Sequence, residues 1–432
     1  MTPTARLAAS IDLLAAMEAA PRKPADAVAN SFFRERRYIG GGDRRAISGL
    51  VWDIMRNWRK LGWWLEQNGG TASPRMLAGA QLVFDRTPME KLASIYGGGR
   101  FAAGLLSESE QAVLNALIGR ELECADMPRA VRLEVPDWLL PRLEETFGTD
   151  LEAEIKAMAE PASLDLRINM LRTTRSEAMH ALAREGLHAE ETKLSPWGLR
   201  LEGRQPVTAS KPFRDGLVEI QDEGSQLVAA MAGVDPGMRV LDYCAGAGGK
   251  TLALAMMMEN KGHIVACDVS VVRLEGAVKR LRRAGVHNVE RHLLTEGDKW
   301  AKRRAASFDR VLVDAPCSGT GTWRRNPDAR FRTTQVDLEE LLVKQAAIMD
   351  RAAALVKPGG RMIYATCSLL KAENAGQVEQ FVARNPDFHL VASGSPTLPE
   401  SLREMSMISL TPARDETDGF FAAVLERREQ KD

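Results

Sequence analysis

Two cysteines and one carboxylate in the second half of this 432-residue chain stand where chemistry is commonly done. Asp314, Pro316 and Cys317 close the apolar run FDRVLVDAPC, and Cys367 closes the run RMIYATCS. If both runs are strands of one parallel sheet, two thiols and an acid converge on a cleft at the strands' carboxyl ends. A single cysteine is more often an inert core thiol than a nucleophile. Two of them at neighbouring strand ends, beside a carboxylate, reverse that preference. The other three, Cys124, Cys244 and Cys267, are scattered, no Cys-x-x-Cys occurs, and none of the six histidines stands at metal-ligand spacing to them. No metal is expected, and free thiols suit a reducing cytoplasm.

A second constellation lies upstream. The run MRVLDYC leads into Asp242-Tyr243-Cys244-Ala245-Gly246-Ala247-Gly248-Gly249-Lys250-Thr251. Glycines let the backbone approach a ligand, and a helix starting there would present free N–H groups. A phosphate-binding P-loop needs glycine where Cys244 stands, and a dinucleotide loop needs its third glycine where Thr251 stands. The S-adenosylmethionine (SAM) loop of a Rossmann-like methyltransferase remains. The next run, HIVACDVS, ends at Asp268, 26 positions after Asp242. A carboxylate there can accept both hydroxyls of a ribose, and capping the helix from Val269 to Leu281 is its competing role.

These residues need a scaffold, and the chain reads in three parts. Residues 1–130 are expected to be helical: apolar positions recur through Leu7, Ile11, Leu14 and Met17, and again through Ile47, Val51, Ile54 and Trp58. Residues 131–215 change character. A helical stretch from Trp138 to Met158 precedes a strand at Ser163 to Leu171, a helix at Ser176 to Glu185 and a strand at Gly198 to Gly203, a small α+β module. Residues 216–432 alternate strands with helices, the pattern of a doubly wound, mostly parallel α/β sheet.

At this point the stretch from about Leu217 to Glu426 resembles the RNA (cytosine-5)-methyltransferases of the RsmB/Nop2/Sun family, in its RsmB branch. The likeness is carried by CAGAGGKT, DAPCSGTG, Arg324-Arg325-Asn326-Pro327-Asp328, and YATCS followed by Glu373-Asn374. VEIQDEGSQLVA upstream and DGFFAAVLE at Asp418 to Glu426 extend it. The two upstream parts resemble, more loosely, that branch's NusB-like helical domain and small RNA-binding module.

The resemblance implies SAM as cofactor, held by Cys244 to Lys250, Asp268 and Asp314. It implies that Cys367 is a nucleophile adding to carbon 6 of cytosine, so that carbon 5 can take the methyl group. Asp314 would bind the base edge and offset ring charge if protonated or sharing a proton. Cys317 would assist release. DNA cytosine-5 enzymes place the nucleophile at the Pro-Cys pair, so YATCS argues against that class. Asp314-Ala315-Pro316-Cys317 also lacks the second proline and aromatic residue of amino-group methyltransferases. Two departures stand out: Ala247 replaces a usual proline, and Thr295 occupies the place of an acidic adenine contact, with Asp298 slightly later.

The chain's 58 basic and 58 acidic residues cancel, which limits any whole-molecule grip on nucleic acid. Between Val272 and Arg332, however, fifteen basic residues face seven acidic ones. Within that window, Trp323, Arg324 and Arg325 are expected to contact RNA phosphates or stack on bases. Around Gly40, the arginines Arg34, Arg36, Arg37, Arg44 and Arg45 are expected to form a solvated helix edge rather than an RNA contact. The resemblance of the helical arm implies ribosomal RNA as the favoured substrate, with transfer RNA open, and a monomer without membrane attachment is expected. The rival is a non-catalytic RNA-binding assembly factor, against which the intact Asp314, Cys317 and Cys367 speak.

Overall fold

The computed structural model describes residues 1–203 and 205–429. The chain forms two compact units: Met1–Glu144 with Arg325–Thr334, and Glu145–Arg324 with Gln335–Asp432.

The first unit is built of helices, beginning with Pro3–Glu18, Ala25–Glu35, Gly41–Arg56, Trp58–Gln67 and Pro74–Phe84. Local chemistry sets several starts. Thr2 and Ser73 cap helices whose next residue is proline, and Ser107 forms a capping box with Glu110. The expected helical stripe is the core stripe, with Leu7, Leu14, Ile47, Val51 and Ile54 all buried. Trp58–Gln67 is capped from outside its own segment: the buried Glu134 carboxylate accepts the N–H groups of Arg59 (3.0 Å) and Lys60 (2.8 Å). The ten residues Arg325–Thr334 belong to this unit, where Asp328 Oδ2 accepts the Ala25 N–H at 3.0 Å. Of the basic cluster around Gly40, Arg34, Arg37 and Arg45 are exposed, while Arg36 and Arg44 lie over the rings of Phe32 and Phe33.

The second unit holds two sheets. The smaller comprises β1 (Leu164–Ile168), β2 (Ala189–Glu191), β3 (Gly198–Leu201) and β4 (Val218–Ile220), antiparallel in the order β2-β3-β1-β4. The helix Arg175–Ala183 packs its buried Ala178 and Leu182 on this sheet. The expected helical stretch Trp138 to Met158 is broken, because a tight turn at Gly148–Asp150 separates Leu140–Phe147 from Leu151–Ala159. Gly148 adopts φ +52°, outside the helical range.

The larger sheet contains β5 (Arg239–Asp242), β6 (His263–Asp268), β7 (Val289–Leu293), β8 (Phe308–Asp314), β9 (Val356–Thr366), β10 (Phe388–Leu390), β11 (Met407–Leu410) and β12 (Phe420–Arg427). Its order is β10-β12-β9-β8-β5-β6-β7, with β11 also on β12. β5 to β9 pair in parallel, and β12 is antiparallel to β9, β10 and β11. The chain runs outward from β5 through β6 to β7, then returns to β8 on β5's other side. This reversal opens a crevice at the carboxyl ends of β5 and β8, the place where such sheets bind ligands. No helix among the described residues is long and apolar enough to cross a membrane.

Candidate active site

The crevice is lined from several strand ends and one helix face. A cleft of about 1060 Å³ is bounded by the loop from Asp242 to Lys250, by Asp268, by Thr295 to Asp298 and by Asp314 and Pro316. Its far wall is the helix Gln335–Ala353, through Glu340, Val343, Lys344, Ala347, Ile348 and Arg351. Sequence alone does not identify that wall, because an ordinary amphipathic pattern does not reveal which surface a helix faces.

The glycine loop folds as its composition requires. Gly246 and Gly248 adopt φ +55° and +81°, and a Cβ on Gly246 would meet nothing within 4 Å. The loop therefore leaves open backbone facing a ligand, and the helix Gly249–Met257 starts immediately behind it. Asp268 is buried and spans the next turn: Oδ2 accepts the Gly246 N–H (2.9 Å) and Oδ1 accepts the Ser270 N–H (2.8 Å). Ser270 caps the following helix, Val271–Ala284, so the cap role that competed with ribose binding at Asp268 is filled two residues later. Each Asp268 oxygen keeps acceptor capacity for a ribose hydroxyl. Asp298 and Thr295 both line the cleft, and Asp298 is engaged by His292 Nε2 at 2.6 Å and by the Trp300 N–H.

Asp242 is fully buried beneath the loop. Oδ2 accepts the Thr251 hydroxyl at 2.7 Å, while Oδ1 has no hydrogen-bond partner. Burial pushes Asp242 up to about 7, with the Thr251 bond opposing and the Asp314 charge adding. The Cys244 thiol is also pushed up, by burial and then by Asp314, Asp242 and Asp268. An open glycine turn, a carboxylate with spare acceptors and an orphaned acidic oxygen fit a nucleoside cofactor carrying a cationic end. From the small sheet, the buried Arg167 donates to the Gly249 carbonyl (2.9 Å) and to Gln221, bracing the loop from behind.

At the reacting end, Lys250 Nζ lies 2.7 Å from Asp314 Oδ2. Burial disfavours the ammonium, but Asp314 more than offsets this and holds Lys250 above the ordinary lysine value. Lys250 is thus an internal partner of the strand-end acid rather than a surface lysine. The sulfurs of Cys317 and Cys367 stand 3.4 Å apart. Contact with Cys367 and then burial push the Cys317 thiol well above its usual range. Close backbone packing beside the sulfurs needs glycines: a Cβ on Gly321 would lie 2.2 Å from the Gly419 carbonyl oxygen.

The RNA contacts expected just downstream look different in the structure. Trp323 is only 1% exposed. Arg324 is buried in an ion-pair cluster, with Nη2 3.2 Å from Asp222 Oδ2 and Nε bonded to Asp418. Neither is presented to a phosphate or base: Trp323 is enclosed within the fold, and two carboxylates distant in sequence claim the Arg324 guanidinium. Arg325 opens the segment counted with the helical unit. Elsewhere in the basic window, Arg283, Arg291 and Arg304 pair with Glu219, Glu275 and Glu290, and Arg330 is buried.

Strand order, glycine loop and paired strand-end acids define a Rossmann-like, SAM-dependent methyltransferase. The model of the family "16S rRNA methyltransferase RsmB/F" matches residues 230–426, and that of the RsmF/B-like ferredoxin-like domain matches residues 135–208. A Synechocystis protein named "Probable ribosomal RNA small subunit methyltransferase B" is 32% identical over 89% of this chain and 91% of its own length. "Ribosomal RNA small subunit methyltransferase B" of Citrobacter koseri is 34% identical over 67% of this chain and 66% of its own. Among solved structures, PH0851 superposes with a TM-score of 0.77 at 25% identity over 99% of both chains. The structure of NSun6 from Pyrococcus horikoshii with SFG, at 22% identity, shares the fold over 69% of this chain and 99% of its own, with a TM-score of 0.59. The chain belongs to the RsmB/F family and is a SAM-dependent RNA methyltransferase.

Proposed function

We propose that the chain methylates carbon 5 of a cytosine in small-subunit ribosomal RNA through a covalent bond between Cys367 and the base. The observation that carries this reading is the pair of sulfurs 3.4 Å apart, just beyond the ends of adjacent strands of which one closes on Asp314. The names of the relatives favour the ribosomal substrate. SAM supplies the methyl group.

Cytosine carbon 5 is a weak nucleophile until a thiolate adds to carbon 6. In this reading, Cys367 adds there and the ring electrons become available at carbon 5. Asp314 binds the base edge, and the Lys250 ammonium at 2.7 Å supplies the shared proton that offsets the ring's gain in charge. With its proton held tightly, the Cys317 S–H can donate to Cys367 Sγ before the base arrives. After transfer, the carbon 5 proton passes to water with the assistance of Cys317, its bonding pair reforms the ring double bond, the ring returns the shared proton to the Lys250–Asp314 pair, and Cys367 departs as thiolate. The target base must be turned out of any stack to reach this cleft.

The test separates the thiols. With SAM and small-subunit RNA, Cys317→Ala should accumulate a protein–RNA adduct stable in denaturing gels, and adding Cys367→Ala should abolish it. An adduct that survives loss of Cys367 would overturn the nucleophile assignment. Mapping 5-methylcytosine in RNA from cells with and without the protein tests the substrate; a mark confined to transfer RNA would overturn the ribosomal choice.

A further inference from the structure

A buried carboxylate behind the two sulfurs has no part in the chemistry above. Glu373 is 0% exposed and has no ion-pair partner among the described residues' salt bridges. Its Oε1 accepts the Ser318 N–H (2.8 Å) and the Gln345 side-chain amide (2.9 Å). Its Oε2 accepts the hydroxyls of both Ser318 and Ser368. Ser318 directly follows Cys317, and Ser368 directly follows Cys367. One carboxylate therefore ties together the two turns that carry the thiols.

The tie is reinforced on every side. Gln345 also donates to the Pro316 carbonyl at 3.0 Å, gripping the residue before Cys317. Thr320 Oγ1 accepts the Leu369 N–H at 2.8 Å, and the Gly321 N–H donates to the Cys367 carbonyl at 3.0 Å. The Tyr364 hydroxyl donates to the Glu373 carbonyl at 2.7 Å, fixing the backbone from which the carboxylate reaches. Burying a carboxylate without a cation is costly unless all its acceptor sites are used. Four donors do this, and three come directly from the cysteine turns. An apolar side chain here could fill space but could not hold the turns in register.

We propose that Glu373 is a positioning residue that sets the separation of the Cys317 and Cys367 sulfurs by holding Ser318 and Ser368. The proposal deepens the two-thiol reading and rests on it for its catalytic consequence, but the geometry can be measured without RNA. Sulfurs at 3.4 Å need to close by about 1.4 Å to reach a disulfide bond length. Diamide takes up the two thiol hydrogens as that bond forms, so the rate of Cys317–Cys367 crosslinking reports the separation.

In the full-length protein, Glu373→Ala should slow diamide crosslinking of this pair by about tenfold and lower methylation by about a hundredfold, the cost of a displacement near 1 Å. Glu373→Gln should restore both, because its oxygen still accepts the Ser318 and Gln345 N–H groups while its amide donates to the two hydroxyls. Ser368→Ala, a milder change that keeps the carboxylate buried, should fall between wild type and Glu373→Ala. Wild-type crosslinking rates in folded Glu373→Ala and Ser368→Ala would overturn the proposal. Slowed crosslinking in these variants, together with absence of an adduct in Cys317→Ala, would overturn the two-thiol mechanism and leave the positioning intact.

Discussion

Lys250 Nζ stands 2.7 Å from Asp314 Oδ2, joining the first turn behind the glycine loop to the end of the strand that carries the Pro-Cys pair. Cofactor loop and reacting end are therefore bound by one ion pair. The Lys250 side chain is 10% exposed and that of Asp314 31%. Lys250→Met should lower methyl transfer by about a hundredfold if the ammonium offsets charge on the base. Its cost in stability should be well below the ~3–5 kcal/mol of a fully buried broken pair, because water reaches Asp314. Single-turnover methylation and thermal melting check the two halves separately.

Asp242 is the site's pH-sensitive element. Its folded pKa is raised from 3.8 to about 7, so its favourable share of stability is complete below 3.8 and is lost as pH rises through about 7. Asp242→Asn keeps an oxygen to accept the Thr251 hydroxyl and removes the titration. Between pH 5 and 8, wild type should lose stability relative to Asp242→Asn by on the order of a few kcal/mol. Melting curves of both proteins across that range check this, and parallel curves would rule it out.

Asp268 organises the cofactor loop through its bonds to Gly246 and Ser270. Asp268→Ala removes those two bonds and the acceptors proposed for the ribose. SAM affinity measured by calorimetry should fall by at least about tenfold, the value of one charge-assisted hydrogen bond. Binding of unmodified RNA should hardly change.

Arg324 sits between Asp222 and Asp418, with all three side chains at most 8% exposed. Arg324→Ala leaves two buried carboxylates facing each other and should cost about 3–5 kcal/mol in stability. If the residue is structural, the salt dependence of RNA binding should keep its slope in the charge-removing Arg324→Gln variant, read on the folded protein. A slope reduced by about one would instead mark a phosphate contact.

Much of this protein was legible in its residues. The glycine run, the acidic end of HIVACD and the strand end at Asp314 are local patterns, and strand–helix alternation with a mostly parallel sheet dictates that such ends share a crevice. The core stripe through Ile47, Val51 and Ile54 follows from helical periodicity alone. Partner choice was not legible. Nothing near Arg324 announces that Asp222 and Asp418 will claim it, and nothing near Lys250 announces Asp314, 64 residues away. Glu373 belonged to a recognisable motif, yet its work depends on Ser318, Gln345 and Ser368 arriving from three separate segments. Backbone preference acts over a few residues and is written in the sequence nearby. The burial of a charge is decided by whichever distant groups tertiary packing brings within hydrogen-bonding reach, and only the folded chain shows which those are.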